Sequence, residues 1–370
     1  MSVEGWEFEM VSAAETEAGI KGIDPAIAKV PVEQGGLNWS FVTNHYPLSE
    51  RLPFMWQTGL LKRLRTDDYD AVIFLGNVYF LSTWVGLRVS RNLGKKVLFW
   101  THGFLGKDRP FLRWLRNLFY RQSDACLLYG NRAKELMLQS GGYDRTLLQV
   151  IYNSIDYRDM EQAISTLSSS SRRELRARLF AAFECPVVVA VGRVNTAKRF
   201  DLLIEAVRIL KERGVGVNCL IIGDGSELDA LKQQAQSNGL GGQIHFTGEL
   251  YGAAADEMLV CCDVCVIPGN VGLSAMHAMS AGLPVISHDR LDLQMPEHEA
   301  IVEGKTGAFY KYGSVESLAD VIAQWVLNHQ DFTAVRLACR ERIRAHFHVD
   351  RQVELIVGLL NHLVKGQDDA

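Results

Sequence analysis

Short runs of β-branched and aromatic residues alternate with longer stretches of helical periodicity along this chain, in two successive series. That alternation is the strongest constraint on the fold, because a strand followed by a long crossover can pair in parallel with the next strand but cannot form a hairpin with it. In the first series, 70–75 (DAVIFL), 96–100 (KVLFW), 125–129 (ACLLY) and 148–152 (LQVIY) read as strands, with helices near 81–93, 110–122 and 132–140. In the second, 186–191 (PVVVAV), 217–222 (VNCLII), 244–247 (IHFT), 264–267 (VCVI) and 284–287 (PVIS) are strands, with helices near 201–213, 227–238 and 274–281. The expected fold class is therefore α/β, with two doubly wound domains, 1–157 and 158–349. The stretch 158–184 is polar, carries no strand signal and reads as a connecting segment. A last helix near 351–363 is expected to cross back, so that about 350–370 joins the first domain.

Composition agrees with two cores: 370 residues, 48% of them apolar, exceed what one core usually fills. No apolar run approaches the roughly 18 residues that cross a bilayer, and the opening MSVEGWEFEM has neither a basic n-region nor an apolar h-region, which points to the cytoplasm. The seven cysteines show no disulfide spacing. Cys262 and Cys265 form a lone C-x-x-C without a second pair or a histidine at ligand spacing, so no metal site is expected there. They read as small apolar residues where a helix runs into a strand.

Net charge is only -4, yet 51–134 holds fifteen Lys/Arg against five Asp. Such a basic half suits lipid headgroups or phosphates, or is simply a solvated face. Within it, the stretch from Phe111 to Arg121 (FLRWLRNLFYR) has an apolar stripe with basic edges, as a helix lying on an anionic membrane or packed on a core would. No nucleic-acid-binding module is recognisable, and none is expected as a partner.

Ligands of open parallel sheets bind beyond the carboxyl ends of the strands, so the residues there are the candidates. After PVVVAV come Gly192, Arg193, Val194, Asn195, Thr196, Ala197 and Lys198, two cations beside a helix start, suited to a diphosphate. After VCVI come Pro268, Gly269, Asn270, Val271, Gly272 and Leu273, then a helix carrying His277. A glycine-bearing loop feeding a helix offers backbone N–H groups and the positive dipole end to phosphate or sugar oxygens. Asn270 and His277 are the polar side chains placed to join in. Gly223, in GDGSEL, lacks the third glycine of a dinucleotide fingerprint but supplies a flexible turn able to line a nucleotide pocket. In the first domain KVLFW runs into Thr101, His102 and Gly103, so His102 stands at a strand end, as a ligand contact, a proton-transfer group or a structural histidine.

These residues together resemble the retaining GT-B glycosyltransferases of family four (glycosyl transferases group 1). The carriers are VGRVNTAKRFDLLIEAV, LIIGDGSEL, IHFTGEL and GLPVI in the second domain, and WTHGFLG, YGNRAKEL and VIYNSID in the first. The resemblance implies two Rossmann-like domains facing a central cleft. It also implies sugar transfer from a nucleotide-diphosphate donor to a glycan or lipid-linked glycan, with retention of configuration, in bacterial surface-polysaccharide synthesis. Arg193 and Lys198 would bind the donor diphosphate and His102 would sit against the transferring sugar. Gly192, Gly223 and the loop Gly269, Asn270, Val271, Gly272 and Leu273 would line the donor site, with Leu250 near the nucleobase. No metal and no cofactor is implied, the two cations and the helix end supplying the charge stabilisation. The basic first domain would let the protein associate with the inner face of an anionic plasma membrane.

Two departures qualify the resemblance. The family's paired glutamates are Gly269 and His277 here, which leaves the donor sugar open between a hexose and a 6-deoxy sugar such as rhamnose or fucose. A non-catalytic sugar-nucleotide-binding subunit and a GT-B sugar-nucleotide epimerase are the alternatives. The family's first strand and glycine-rich loop are unrecognisable, so either 32–60 supplies a variant acceptor-side structure or the chain lacks that first unit. Gly35 and Gly36, in GGLNWSF, are with His102 and Gly103 the acceptor-side candidates.

Overall fold

The strand Val187–Val191 (VVVAV) is buried on both faces, a pattern met only where helices cover both sides of a parallel sheet. Val188 and Ala190 face one core, and Val187 and Val189 the other, as the two-residue strand period requires. The computed structural model describes residues 2–3, 5–14, 24–47, 53–104, 106, 109–328 and 332–366. It divides into two units: Met1–Ile151 with Val353–Ala370, and Tyr152–Gln352.

In the second unit six parallel strands lie in the order Ile244–Gly248, Asn218–Ile222, Val187–Val191, Val264–Val266, Val285–His288 and Gly307–Tyr310. This is the Rossmann-like order, in which the order of successive strands reverses between Val187–Val191 and Val264–Val266. The helices Phe200–Glu212, Leu228–Ser237 and Val315–Asn328 cover one face. Ala253–Val260, Leu273–Ser280 and Thr333–His346 cover the other.

The polar stretch expected to connect the domains is instead two helices, Arg158–Thr166 and Ser169–Leu179, built into this unit. Met160 and Phe180 enter its core. Arg176 reaches both oxygens of Asp263 at 2.8 Å and donates to the Cys261 carbonyl at 2.7 Å, so this helix is tethered to the sheet. Gly307–Tyr310 (GAFY) escaped sequence reading because it is short and not β-branched. Its Gly307 backbone passes so close to Val285 that a Cβ would lie 1.9 Å from the Val285 carbonyl oxygen.

In the first unit, four parallel strands run Leu148–Val150, Ala125–Leu128, Lys96–Thr101 and Ala71–Leu75. Leu60–Thr66, Leu81–Asn92, Pro110–Tyr120 and Asn131–Gln139 lie on one face around Phe99 and Phe119. On the other, Ile356, Val357, Leu359 and Leu360 of the helix Val349–Leu360 pack with Leu98, Leu127 and Trp6. Trp6 Nε1 donates to Asn361 Oδ1 at 2.9 Å. Among the described residues of 32–60, short ladders form: Trp39–Phe41 beside Met10–Ser12, and Thr43–His45 against Trp56–Thr58, with a single bridge from Met55 to Phe80. Among the described residues none of these joins the four-stranded sheet, and the outer edge of Ala71–Leu75 lines a cavity of about 510 Å³ shared with residues of 5–12.

The helix Pro110–Tyr120 does not turn its whole apolar stripe to the core. Phe119 and Tyr120 are buried, but Phe111, Trp114 and Leu118 are 72%, 59% and 46% exposed. Among the described residues no helix is long and apolar enough to cross a membrane.

Candidate functional site

The two loops that follow the central strands of the second unit meet at the switch point. Gly269 N–H donates to the Lys198 carbonyl at 3.0 Å, and Lys198 Nζ donates to the Asn270 carbonyl at 2.7 Å. Three of the site's glycines are demanded by this closeness. A Cβ on Gly223 would lie 2.0 Å from the Gly192 carbonyl, one on Gly225 2.2 Å from the Val194 carbonyl, and one on Gly269 2.0 Å from the Ala197 carbonyl. The GDG turn is therefore clamped, not flexible, and Val194 N–H donating to the Asp224 carbonyl at 2.8 Å fastens it further.

Arg193 is exposed and Lys198 half-buried, and neither forms an ion pair among the described residues. Burial, partly offset by the Glu297 carboxylate, holds the Lys198 ammonium below the ordinary lysine range. Two cations at a strand end, neither in an ion pair among the described residues, would suit an anion. Arg199, the next residue, adopts φ 52°, a left-handed conformation usually left to glycine, and its guanidinium is held by Asp201 at 2.9 Å.

The loop 269–273 narrows as an amide cradle. The N–H groups of Gly269, Asn270 and Val271 already donate to Lys198, Ala197 and Gln294 Oε1. The groups left for an anion are those at the start of Leu273–Ser280, from Gly272 onward.

A pocket of about 360 Å³ joins Gly192, Arg193, Gly223, Leu250, Tyr251 and His277. Tyr251 is exposed and donates to Glu249 Oε1, an interaction that raises its phenol above the usual range. His277 Nε2 lies 2.6 Å from Asp256 Oδ1. Sequence reading missed Asp256, Tyr251 and Glu249, whose only signal was their place just after IHFTG. Cys262 and Cys265 are buried in the second core, and burial pushes the Cys265 thiol up to about 12.

The acceptor-side candidates lie in the first unit. His102 is exposed at the end of Lys96–Thr101 and packs against Tyr129, the ring centroids 4.4 Å apart and the planes tilted by 36°. Gly103, at φ 62°, is packed against Met137 and Ala133, so its lack of a side chain is a packing requirement. Gly35 and Gly36 close the turn Val32–Gln34 onto 30–31; a Cβ on Gly36 would lie 1.8 Å from the Val30 carbonyl. Local geometry accounts for both glycines.

Fold and site together define a two-domain α/β protein with Rossmann-like halves and a cation-bearing pocket at a topological switch point. The family described as Glycosyl transferases group 1 matches residues 171–345, and Glycosyltransferase Family 4 matches 28–159. These matches, with structural likeness to GT-B proteins, support a GT-B glycosyltransferase as the class of this chain. The GDP-mannose-dependent alpha-(1-6)-phosphatidylinositol monomannoside mannosyltransferase of Mycobacterium tuberculosis is 28% identical over 214 residues, covering 54% of this chain and 52% of that protein. Mannosylfructose-phosphate synthase of Agrobacterium fabrum is 23% identical over 266 residues, covering 69% and 54%. The chain thus spans about half the length of these curated relatives. The structure of Anabaena Alr3699/HepE in complex with UDP superposes with a TM-score of 0.69 over 92% of this chain and 90% of that one, at 21% identity.

Proposed function

We propose that this protein transfers a sugar from a nucleotide-diphosphate donor to a glycan or lipid-linked glycan acceptor in bacterial polysaccharide or glycolipid synthesis, with retention of anomeric configuration. The observation that carries the proposal is the pair Arg193 and Lys198, two cations that form no ion pair among the described residues, flanking Gly192 beside the start of Leu273–Ser280. Their charge would hold the diphosphate and stabilise it as it leaves. The amides from Gly272 onward would take phosphate or sugar oxygens, and Leu250 would lie near the nucleobase. His102 would meet the transferring sugar. The relatives' names, one a GDP-mannose-dependent mannosyltransferase, and the UDP-bound structural neighbour support a nucleotide-sugar donor.

The acceptor reading extends to membranes. Phe111, Trp114 and Leu118 stand exposed on a helix that also carries Arg113 and Arg116, an arrangement suited to an anionic lipid surface bearing a lipid-linked glycan.

The test is a thermal-shift comparison of wild type with the Arg193→Ala, Lys198→Ala double variant across UDP, GDP, dTDP and ADP. A shift of several degrees with one nucleotide, lost in the double variant, is expected; no shift with any of them overturns the proposal. The anomeric configuration of the product, read by NMR with the matching sugar nucleotide, tests retention.

A further inference from the structure

The side chain of Asp256, on the helix Ala253–Val260, is only 4% exposed. A carboxylate taken out of water is costly unless paired, and among the described residues its one side-chain partner is His277 of Leu273–Ser280, with Nε2 at 2.6 Å from Oδ1. His277 is 36% exposed and lines the pocket with Arg193 and Leu250. The pair therefore runs from a buried charge to a pocket wall. An ionised carboxylate can only accept, so the imidazole must present N–H at Nε2. In the neutral ring the lone pair then falls on Nδ1, which has no partner among the described residues.

We infer that Asp256 is a positioning residue that fixes His277 as the Nε2–H tautomer, so that Nδ1 accepts a hydrogen bond from a hydroxyl of the nucleotide-sugar donor. This rests on the donor reading proposed above. Two apolar residues would bury more cheaply at these positions, which sets the pair apart from a device for stability alone.

Imidazole ¹⁵N spectra, with His277 assigned by comparison with His277→Gln, read the tautomer directly. Free wild type should show Nε2 as N–H and Nδ1 as a lone-pair nitrogen, and saturating UDP or GDP should move Nδ1 upfield as it accepts a hydroxyl proton. Asp256→Asn keeps the shape but lets an amide N–H face Nε2; it should turn the ring to the Nδ1–H tautomer and weaken UDP or GDP binding about tenfold by calorimetry. Asp256→Glu should recover the wild-type tautomer and part of the affinity. An Nδ1–H ring in free wild type, or unchanged tautomer and affinity in Asp256→Asn, overturns the positioning role while leaving the donor reading standing. Wild type that binds no nucleoside diphosphate overturns the donor reading instead.

Discussion

Lys198 Nζ and the Asn270 carbonyl oxygen stand 2.7 Å apart, joining the loop after Val187–Val191 to the loop after Val264–Val266. One half-buried ammonium thus braces the point where the strand order reverses.

Lys198 should leave a signature in alkaline titrations. Burial lowers its folded pKa below the unfolded value of about 10.4. Between those two values the unfolded chain binds more protons, so the free protein should gain stability as pH rises through the window. Nucleoside-diphosphate affinity should fall across the same window as the ammonium is lost, and Lys198→Arg should abolish that fall. Unfolding midpoints and calorimetric affinities at stepped pH check both.

Asp263 should be costly to remove. It accepts from Arg176 at 2.8 Å, from Val187 N–H at 2.9 Å and from Arg336 at 3.3 Å. Asp263→Ala leaves two part-buried guanidinium groups without their carboxylate, and a loss of about 3–5 kcal/mol in urea unfolding is expected.

Gly223→Ala should destabilise by about 3 kcal/mol and weaken nucleotide binding in step. Its φ is 148° and the new Cβ would meet the Gly192 carbonyl at 2.0 Å, so the cation-bearing loop must shift. Gly94→Ala, also at positive φ but in open space, isolates the backbone contribution and should cost less.

Arg199→Gly should raise stability by about 1 kcal/mol, because glycine adopts φ 52° without the steric penalty of a side chain. The ion pair lost with Asp201 is partly exposed and offsets little of that gain. Chemical denaturation at neutral pH measures the difference.

Replacing Phe111 and Trp114 by Ser should reduce partition onto phosphatidylserine-containing vesicles at least tenfold in sedimentation assays, with the unfolding midpoint unchanged. Both rings are largely exposed, so the folded protein does not depend on them. Wild-type partition should weaken as salt rises, since the arginines of this helix act through screened charge.

Most strands of the two parallel sheets were legible because they are short apolar runs between helical stretches, and Arg193 and Lys198 became candidates because strand ends are where open sheets take ligands. The segment 158–184 was not. Its serines and arginines outnumber the few residues, such as Met160 and Phe180, that enter the core, and no local pattern brings Asp263 beside Arg176. Nor was the loop 269–273 legible in detail, because a sequence does not say that Lys198 and Ala197 already occupy its first amides.

Alone, the sequence determined two series of parallel strands and a pair of cations after one strand, because periodicity and residue type act over a few neighbours. Tertiary structure decided which amides remain open, that Gly223 must be glycine, and that Asp256 faces His277. Those outcomes depend on approaches of 2–3 Å between segments twenty or more residues apart, set by how helices seat on the sheet rather than by any local pattern.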